Sequence, residues 1–241
     1  MSRSSNRRRF LTQLTVLLLL GGMSACCDAL GAAEKPSTNR WEKEIQAFEA
    51  QDRKQAPPED AALFVGSSSI RIWKLDESFP GVATINRGFG GSQLADSVHF
   101  APRIVIPYRP KLIVLYAGDN DIAAGKSPEQ VFGDFKQFVQ VVRKSLPETR
   151  IAYLSIKPSI LRWSLVDRMQ ATNRLIKQYV DEQDDKLSYV DVFTPMLGAD
   201  GMPRKELFRA DGLHLSAEGY TLWASVLQPA MATVATNASP Q

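Results

Sequence analysis

Four short polar segments of this sequence carry residue types that can do chemistry together. They are residues 66–73 (GSSSIRIW), 86–92 (NRGFGGS), 118–121 (GDND) and 211–214 (DGLH). The first three follow apolar runs of strand length, and the fourth lies in the long loop before the last predicted helix. Taken singly, each is most often a helix cap or a polar turn. Taken together, they offer a hydroxyl, amide N–H donors and a histidine with a nearby carboxylate, which suits nucleophilic catalysis by serine.

The histidines narrow the choice of a catalytic base. A serine nucleophile normally needs a histidine beside it, and the sequence contains two, His99 and His214. His99 falls within a predicted helix of partly apolar pattern. His214 follows Asp211 by three residues, so a tight turn can bring the carboxylate to the imidazole, set its tautomer and stabilise the imidazolium. The sequence therefore favours His214 as the base and Asp211 as its partner.

The elements that must position these segments alternate between strands and helices. Apolar runs of strand length lie at residues 61–65, 82–85, 112–117, 151–155 and 189–192. Helical patterns lie at residues 41–51, 70–75, 92–106, 128–146, 165–182 and 216–234. Short, nearly continuous apolar strands separated by amphipathic helices predict a three-layer α/β fold, an open parallel sheet of about five strands with helices on both faces. Ligands of such sheets bind beyond the carboxyl ends of the strands, which is where the polar segments fall.

The first 33 residues have the layout of a secretory leader. Residues 1–9 contain four arginines and no acid, residues 10–27 are uncharged, and small residues follow at 29–33. The most apolar part, residues 16–20, is too short for a good membrane span. We therefore expect residues 1–33 to be a signal peptide or lipoprotein leader and residues 34–241 to form a single domain.

The leader permits more than one route and fate. Residues 6–11 (NRRRFL) resemble a twin-arginine export signal. Residues 23–26 (MSAC) look like a bacterial lipobox with Cys26 as the lipidated residue, whereas residues 29–31 suit an ordinary signal peptidase. The sequence thus predicts an exported protein, periplasmic or extracellular, either free or tethered to the membrane through Cys26.

Charge and cysteine content exclude several functions for the domain after the leader. Removing residues 1–33 takes away four basic residues and one acidic residue, which leaves 25 of each. A neutral domain gives no reason to expect nucleic acid as a partner. Both cysteines, Cys26 and Cys27, lie in the leader, so the domain has no disulfide, no thiolate nucleophile and no cysteine zinc site.

The four polar segments, in this order, resemble the blocks of the SGNH, or GDSL-type, hydrolases over most of residues 61–230. The resemblance implies that Ser68 is the nucleophile, His214 the general base and then acid, and Asp211 its orienting partner. The sequence departs from the family at Ser67, where the usual residue before the nucleophile is aspartate.

The resemblance also implies an oxyanion hole. Its donors would be the backbone N–H groups of Ser68 and Gly91 and the side-chain amide of Asn120. Glycine lets a backbone N–H approach a substrate without a Cβ in the way, and asparagine offers a neutral donor. The resemblance implies no metal and no organic cofactor.

Other motifs fit these segments less well. Residues 66–70 lack the final glycine of the nucleophile elbow of α/β-hydrolases. Residues 88–93 lack the third glycine of a dinucleotide fingerprint, and residues 119–123 fail as a calcium loop at the fifth position.

Three further residues follow the fourth predicted strand: Lys157, Arg162 and Trp163. We expect them to be solvated loop residues, with a place at the rim of the substrate pocket as the alternative.

The expected function is that of an exported serine ester hydrolase that works through an acyl-enzyme on short-chain or carbohydrate-linked esters. Two alternatives stay open at this point. One is an O-acyltransferase that passes the acyl group to a sugar, and the other is a non-catalytic protein that binds carbohydrate or the cell envelope.

Overall fold

The structure, a computed structural model, describes residues 40–235, so the predicted leader lies outside the described residues. The strands are β1 (Ala62–Gly66), β2 (Thr84–Gly88), β3 (Leu112–Tyr116), β4 (Arg150–Leu154) and β5 (Leu187–Val190). The α-helices are α1 (Glu42–Lys54), α2 (Ser68–Arg71), α3 (Leu75–Ser78), α4 (Leu94–Ile104), α5 (Asp119–Ala123), α6 (Pro128–Ser145), α7 (Val166–Asp181) and α8 (Ala217–Ala235). Within residues 40–235, none of the helices has the length and apolar character that a membrane span requires.

The strands form one parallel sheet in the order β2-β1-β3-β4-β5. In this order β1 lies between β2 and β3, with Phe64 paired to Asn86 on one side and to Val114 on the other. The chain therefore winds outward from β1 to β2 and then continues on the opposite side of β1. The carboxyl ends of β1 and β3 flank this topological switch point, where open α/β sheets bind their ligands.

The sheet is covered on both faces. Leu63 and Val65 of β1 pack into one apolar core with α1, α4, α6 and α7, whereas Ala62 and Phe64 pack into a second core with α2, α3 and α8. Every residue of β1 and β3 is buried. Burial of each large apolar side chain contributes about 1.5–3 kcal/mol. These two cores confirm the predicted three-layer α/β fold.

Strand β2 differs from its predicted position because polar residues extend it. The sequence predicts that it ends at Ile85, but it continues to Gly88 through Asn86 and Arg87. Arg87 is buried and forms an ion pair with Asp52 of α1 at 2.5 Å. A strand that is predicted from its apolar run ends where the polar residues begin. Here the strand continues, because the polar residues find partners within the fold.

The first predicted helix after β1 is divided into two short helices. The sequence predicts a single helix over residues 70–75, but α2 ends at Arg71 and α3 begins at Leu75. The side-chain amide of Asn86 donates to the carbonyl oxygens of Ile70 at 2.8 Å and Trp73 at 3.3 Å. These bonds give both carbonyls a side-chain partner at the break between the two helices. The last strand also lies earlier than predicted, since β5 begins at Leu187, which packs in the first core.

Gly66 marks the point at which β1 and β3 come too close for a side chain. Its φ is +141°, and a Cβ built there would lie 1.9 Å from the carbonyl oxygen of Tyr116.

We expect Gly66→Ala to lower the free energy of unfolding in urea by about 3 kcal/mol, because backbone strain adds to a steric clash. The matched control is Gly81→Ala, whose φ is +77° with no heavy atom within 4 Å of the added Cβ. It should cost about 1–2 kcal/mol, and equal losses in the two variants would contradict this account.

Candidate active site

Ser68 lies where β1 turns into α2. The backbone N–H of Ser67 donates to the carbonyl oxygen of Tyr116 at 3.1 Å, so the turn continues the pairing of β1 with β3 by one residue. Ser68 is the first residue of α2 and is half-buried, whereas Ser67 and Ser69 on either side are buried. The middle serine of the triplet is therefore the one that the turn presents at the carboxyl edge of the sheet.

Ser68, His214 and Asp211 form a continuous hydrogen-bonded chain. The Oγ of Ser68 lies 3.1 Å from Nε2 of His214. The Nδ1 of the same imidazole lies 2.7 Å from Oδ2 of Asp211. This is the arrangement in which an imidazole can take a proton from a hydroxyl while a carboxylate holds the ring in the required tautomer.

The loop that carries His214 is organised around Asp211. Its second oxygen, Oδ1, accepts the backbone N–H groups of Leu213 and His214, each at 2.9 Å. The hydrogen bond from the His214 side chain, followed by these two backbone bonds, lowers the pKa of Asp211 to about 2. Asp211 is therefore an anion across the neutral pH range and is suited to stabilise an imidazolium.

Helix α8 connects the histidine loop to the serine turn. Tyr220, in the first turn of α8, donates its hydroxyl to the carbonyl oxygen of Ser69 at 2.8 Å. Its ring packs against Trp73 with the centroids 5.4 Å apart. Burial raises the pKa of Tyr220 above its usual range, so the hydroxyl remains a donor. The Tyr220 hydrogen bond holds α2, which begins at Ser68, against α8, which begins three residues after His214.

Gly91 lies in the loop that follows β2. Its φ is +77°, in the left-handed region that favours glycine. Two hydrogen bonds hold this loop. The indole N–H of Trp41 donates to the carbonyl oxygen of Gly90 at 2.9 Å. The backbone N–H of Phe89 donates to the carbonyl oxygen of Gly66 at 2.9 Å. The second of these bonds brings the glycine loop beside the end of β1.

Asn120, the second residue of α5, lies beyond β3. Its amide nitrogen donates to the carbonyl oxygen of Ser92 at 2.9 Å, which connects it to the residue after Gly91. An amide nitrogen carries two hydrogens, so one N–H of Asn120 remains for a ligand. The structure thus brings Ser68, Asp211 and His214 into direct contact and connects Gly91 and Asn120 to the same edge of the sheet. Their roles in an oxyanion hole remain predictions.

The other histidine, His99, belongs to a different part of the fold. It lies on α4, with its ring against Phe100 at a centroid separation of 4.7 Å. Asp96, three residues earlier, accepts the backbone N–H of Gln93 at 2.7 Å as part of the helix cap. This carboxylate is occupied in capping α4.

The expectation that Lys157 and Arg162 are solvated was wrong for Lys157, which is 1% exposed. Its ammonium lies 2.8 Å from Oδ2 of Asp119 and donates to the hydroxyl of Tyr116 at 3.2 Å. Arg162 lies 2.7 Å from Oδ1 of Asp119. Burial by itself raises the pKa of Asp119, but the two cations outweigh it, and the pKa lies below the usual value.

The sequence signal for this cluster was weak, since it consists of one acid after β3 and two basic residues after β4. Trp163 is half-buried, and its place at the rim of the substrate pocket stays a prediction, because none of the described residues that line the cavity beside it is catalytic. With Ile160, Met202 and Pro203, it lines an open cavity of about 840 Å³.

A parallel α/β sheet with a serine, an imidazole and a carboxylate in hydrogen-bonding order at its switch point defines a hydrolase of the acyl-transfer class. Residues 70–222 match the model of the GDSL-like lipase/acylhydrolase family. The chain belongs to this family and is an ester hydrolase, which confirms the resemblance found in its sequence. The match begins two residues after Ser68, so the assignment of Ser68 depends on the geometry.

The names of proteins similar to this chain are consistent with the family. The chain is 28% identical over 193 residues to the platelet-activating factor acetylhydrolase IB subunit alpha1 of Bos taurus, covering 76% of this chain and 78% of the relative. Among solved structures, a GDSL-like lipase from Bacteroides thetaiotaomicron aligns with a TM-score of 0.67 and 21% identity, over 78% of this chain and 97% of that chain. A carbohydrate esterase family 3 protein from Talaromyces cellulolyticus aligns with a TM-score of 0.59 and 17% identity, over 74% and 100%. The two solved structures show a shared fold.

The three adjacent serines allow a sharp test of which hydroxyl is activated. A fluorophosphonate probe reacts covalently with a serine whose proton is removed by a neighbouring base. We expect it to label the wild-type protein, Ser67→Ala and Ser69→Ala, but not Ser68→Ala, because Ser68 makes the hydrogen bond to His214. Mass spectrometry of the labelled peptide gives the position. Labelling that survives in Ser68→Ala and disappears in either neighbouring variant would assign the nucleophile to another serine.

Proposed function

We propose that this protein is an exported serine esterase that transfers the acyl group of a short-chain or carbohydrate-linked ester first to Ser68 and then to water. The observation that carries the proposal is the hydrogen-bonded chain from Ser68 through His214 to Asp211 at the carboxyl edge of the sheet. Membership of the GDSL-like lipase/acylhydrolase family supports the ester as the bond that is cleaved.

The first half-reaction forms an acyl-enzyme. As Oγ of Ser68 attacks the ester carbonyl carbon, Nε2 of His214 takes the hydroxyl proton, and the carbonyl oxygen becomes an oxyanion. The backbone N–H groups of Ser68 and Gly91 and the free N–H of Asn120 would stabilise this charge, each donor contributing a factor of about 10²–10³ in rate. The C–O bond then breaks, and the alcohol leaves with the proton held by His214.

The second half-reaction releases the acid. A water molecule loses a proton to Nε2 of His214 and attacks the acyl carbonyl, and Ser68 leaves with that proton restored to its Oγ. Asp211 stays ionised throughout, because its pKa is lowered to about 2. It therefore stabilises each imidazolium without exchanging a proton itself.

Two features support a small acyl group and a larger alcohol. The names of two similar proteins specify an acetylhydrolase and a carbohydrate esterase. The cavity of about 840 Å³ has room for a sugar or another alcohol, and Trp163 offers it an aromatic face. The cavity lies near the histidine loop, since Ile160 of its lining is followed by Leu161, whose N–H donates to the carbonyl oxygen of Gly212 at 3.0 Å.

A substrate panel tests this activity and its preference. We expect the purified protein to hydrolyse p-nitrophenyl esters with kcat/KM falling from acetyl to octanoyl, and to release acetate from acetylated sugars. Ser68→Ala and His214→Ala should each lower kcat on the order of 10⁴-fold or more. Trp163→Ala should raise KM for an acetylated sugar roughly tenfold and leave hydrolysis of p-nitrophenyl acetate unchanged.

Absence of hydrolysis from every ester in the panel would refute the esterase proposal. Transfer of the acyl group to an added sugar in preference to water would make the protein an acyltransferase.

The proposed site of action is outside the cytoplasm. Support comes from the arginine-rich start and uncharged stretch of residues 1–33, and from the absence of cysteine after Cys27. With the full chain produced in a bacterial host, we expect esterase activity in the periplasmic or membrane fraction. If Cys26 is lipidated, Cys26→Ser should release membrane-bound activity while Cys27→Ser should not. Activity confined to the cytoplasm of a host with intact export routes would contradict this localisation.

A further inference from the structure

The side chain of Arg162 is bonded to the amide of Asn120. Both terminal nitrogens of the guanidinium, Nη1 and Nη2, donate to Oδ1 of Asn120, each at 3.1 Å. Asn120 is the side-chain donor of the proposed oxyanion hole. Arg162 therefore acts on the end of the amide that faces away from the donor hydrogens.

The guanidinium also forms an ion pair with a buried carboxylate. Nη1 of Arg162 lies 2.7 Å from Oδ1 of Asp119, the residue before Asn120. The other oxygen of Asp119 is taken by the ammonium of Lys157 at 2.8 Å. One carboxylate thus serves two cations, and this group of three side chains carries a net positive charge behind Asn120. Arg162 has a 19% exposed side chain and Lys157 a 1% exposed one, so water screens this charge only partly.

The contacts of Asn120 permit one orientation of its amide. As placed, Oδ1 accepts from Arg162 and Nδ2 donates to the carbonyl oxygen of Ser92. A flipped amide would set Nδ2, a donor, against the guanidinium, which is also a donor. It would set Oδ1, an acceptor, against the carbonyl oxygen of Ser92, which is also an acceptor, so both hydrogen bonds would be lost. The second hydrogen of Nδ2 is therefore held in a fixed direction before any substrate binds.

The cation also changes the strength of the donor. Hydrogen bonds from a charged donor to Oδ1 draw electron density toward the oxygen, and the amide N–H becomes a stronger donor as a result. We propose that Arg162 is a positioning residue of the oxyanion hole, which orients and polarises Asn120 so that its free N–H stabilises the oxyanion formed in ester cleavage. This inference rests on the proposed esterase function and deepens it.

The effect of Arg162 has an upper limit because it acts through another residue. Removing an oxyanion donor typically lowers kcat about 10²–10³-fold. Replacing Arg162 leaves the Asn120 amide present but misoriented for part of the time and less polarised, so the loss must be smaller. We expect Arg162→Leu to lower kcat for p-nitrophenyl acetate about tenfold or more, with KM changed by less than about threefold, since ground-state binding is untouched.

A double-mutant cycle separates this role from a structural one. The cycle compares the wild type, Arg162→Leu, Asn120→Ala and the variant with both changes. We expect Arg162→Leu to lower kcat in the wild-type background and to have almost no further effect once Asn120 is alanine. Arg162→Lys, which keeps the charge but loses the fork, should fall between the wild type and Arg162→Leu. If Arg162→Leu does not fold, the same cycle is run with Arg162→Lys.

Arg168 provides the matched control. It too is an arginine bonded to the chain around α5, and its guanidinium donates to the carbonyl oxygens of Gly125, at 2.8 Å, and Lys126. It has no bond to Asn120 among the described contacts. Arg168→Leu should lower Tm but leave kcat within about twofold of the wild type.

Two results would overturn the inference. One is a kcat for Arg162→Leu within twofold of the wild type. The other is a double variant whose fold-loss in kcat equals the product of the losses in Arg162→Leu and Asn120→Ala, because Arg162 would then act independently of Asn120. Failure of the esterase proposal itself looks different, because then the wild-type protein would show no activity that depends on Ser68.

Discussion

The hydrogen bond between Ser68 and His214 joins residues that are 146 positions apart in the chain, so it exists only because two packed elements hold it. Ser68 is held by a turn in which Gly66 lies against the backbone of β3. His214 is held by the Asp211 turn and by α8, which Tyr220 bonds to the carbonyl of Ser69. A shift of about 1 Å between α2 and α8 would move Oγ and Nε2 out of hydrogen-bonding range.

Burial of charge at the same edge of the sheet carries an energetic cost that the fold tolerates. Asp119 and Lys157 are both buried, and removing ions from water costs several kcal/mol each unless partners and hydrogen bonds offset it. Here the offset comes from Arg162, from the direct ion pair and from the hydroxyl of Tyr116. A well-packed apolar cluster would stabilise the domain as well or better. Stability therefore does not explain the charged cluster, whereas the hydrogen bonds from Arg162 to Asn120 give it a role at the site.

Much of the fold and part of the site were predictable from local pattern. The apolar runs predicted the strands, because a strand that is buried on both faces is apolar along its length. The amphipathic segments predicted the longer helices, because a helix that is buried on one face repeats its apolar residues every three or four positions. The extent of β2 and the break between α2 and α3 were not predictable in this way. The extent of β2 follows from its pairing with β1. The break lies where the amide of Asn86 bonds to carbonyls 13 and 16 residues earlier in the chain. Lys157 was misassigned for the same reason, since its charge suggested solvent and its partner lies 38 residues away.

The sequence by itself determined the class of fold, the family and the set of residues able to act as nucleophile, base and donors. These follow from residue type and from spacing along the chain. Only the tertiary structure showed that the hydroxyl of Ser68 meets the imidazole of His214, and that Arg162 donates to Asn120 beside the buried carboxylate of Asp119. The physical reason is that a hydrogen bond requires atoms within about 3 Å in a given direction, and the packing of distant elements sets such distances.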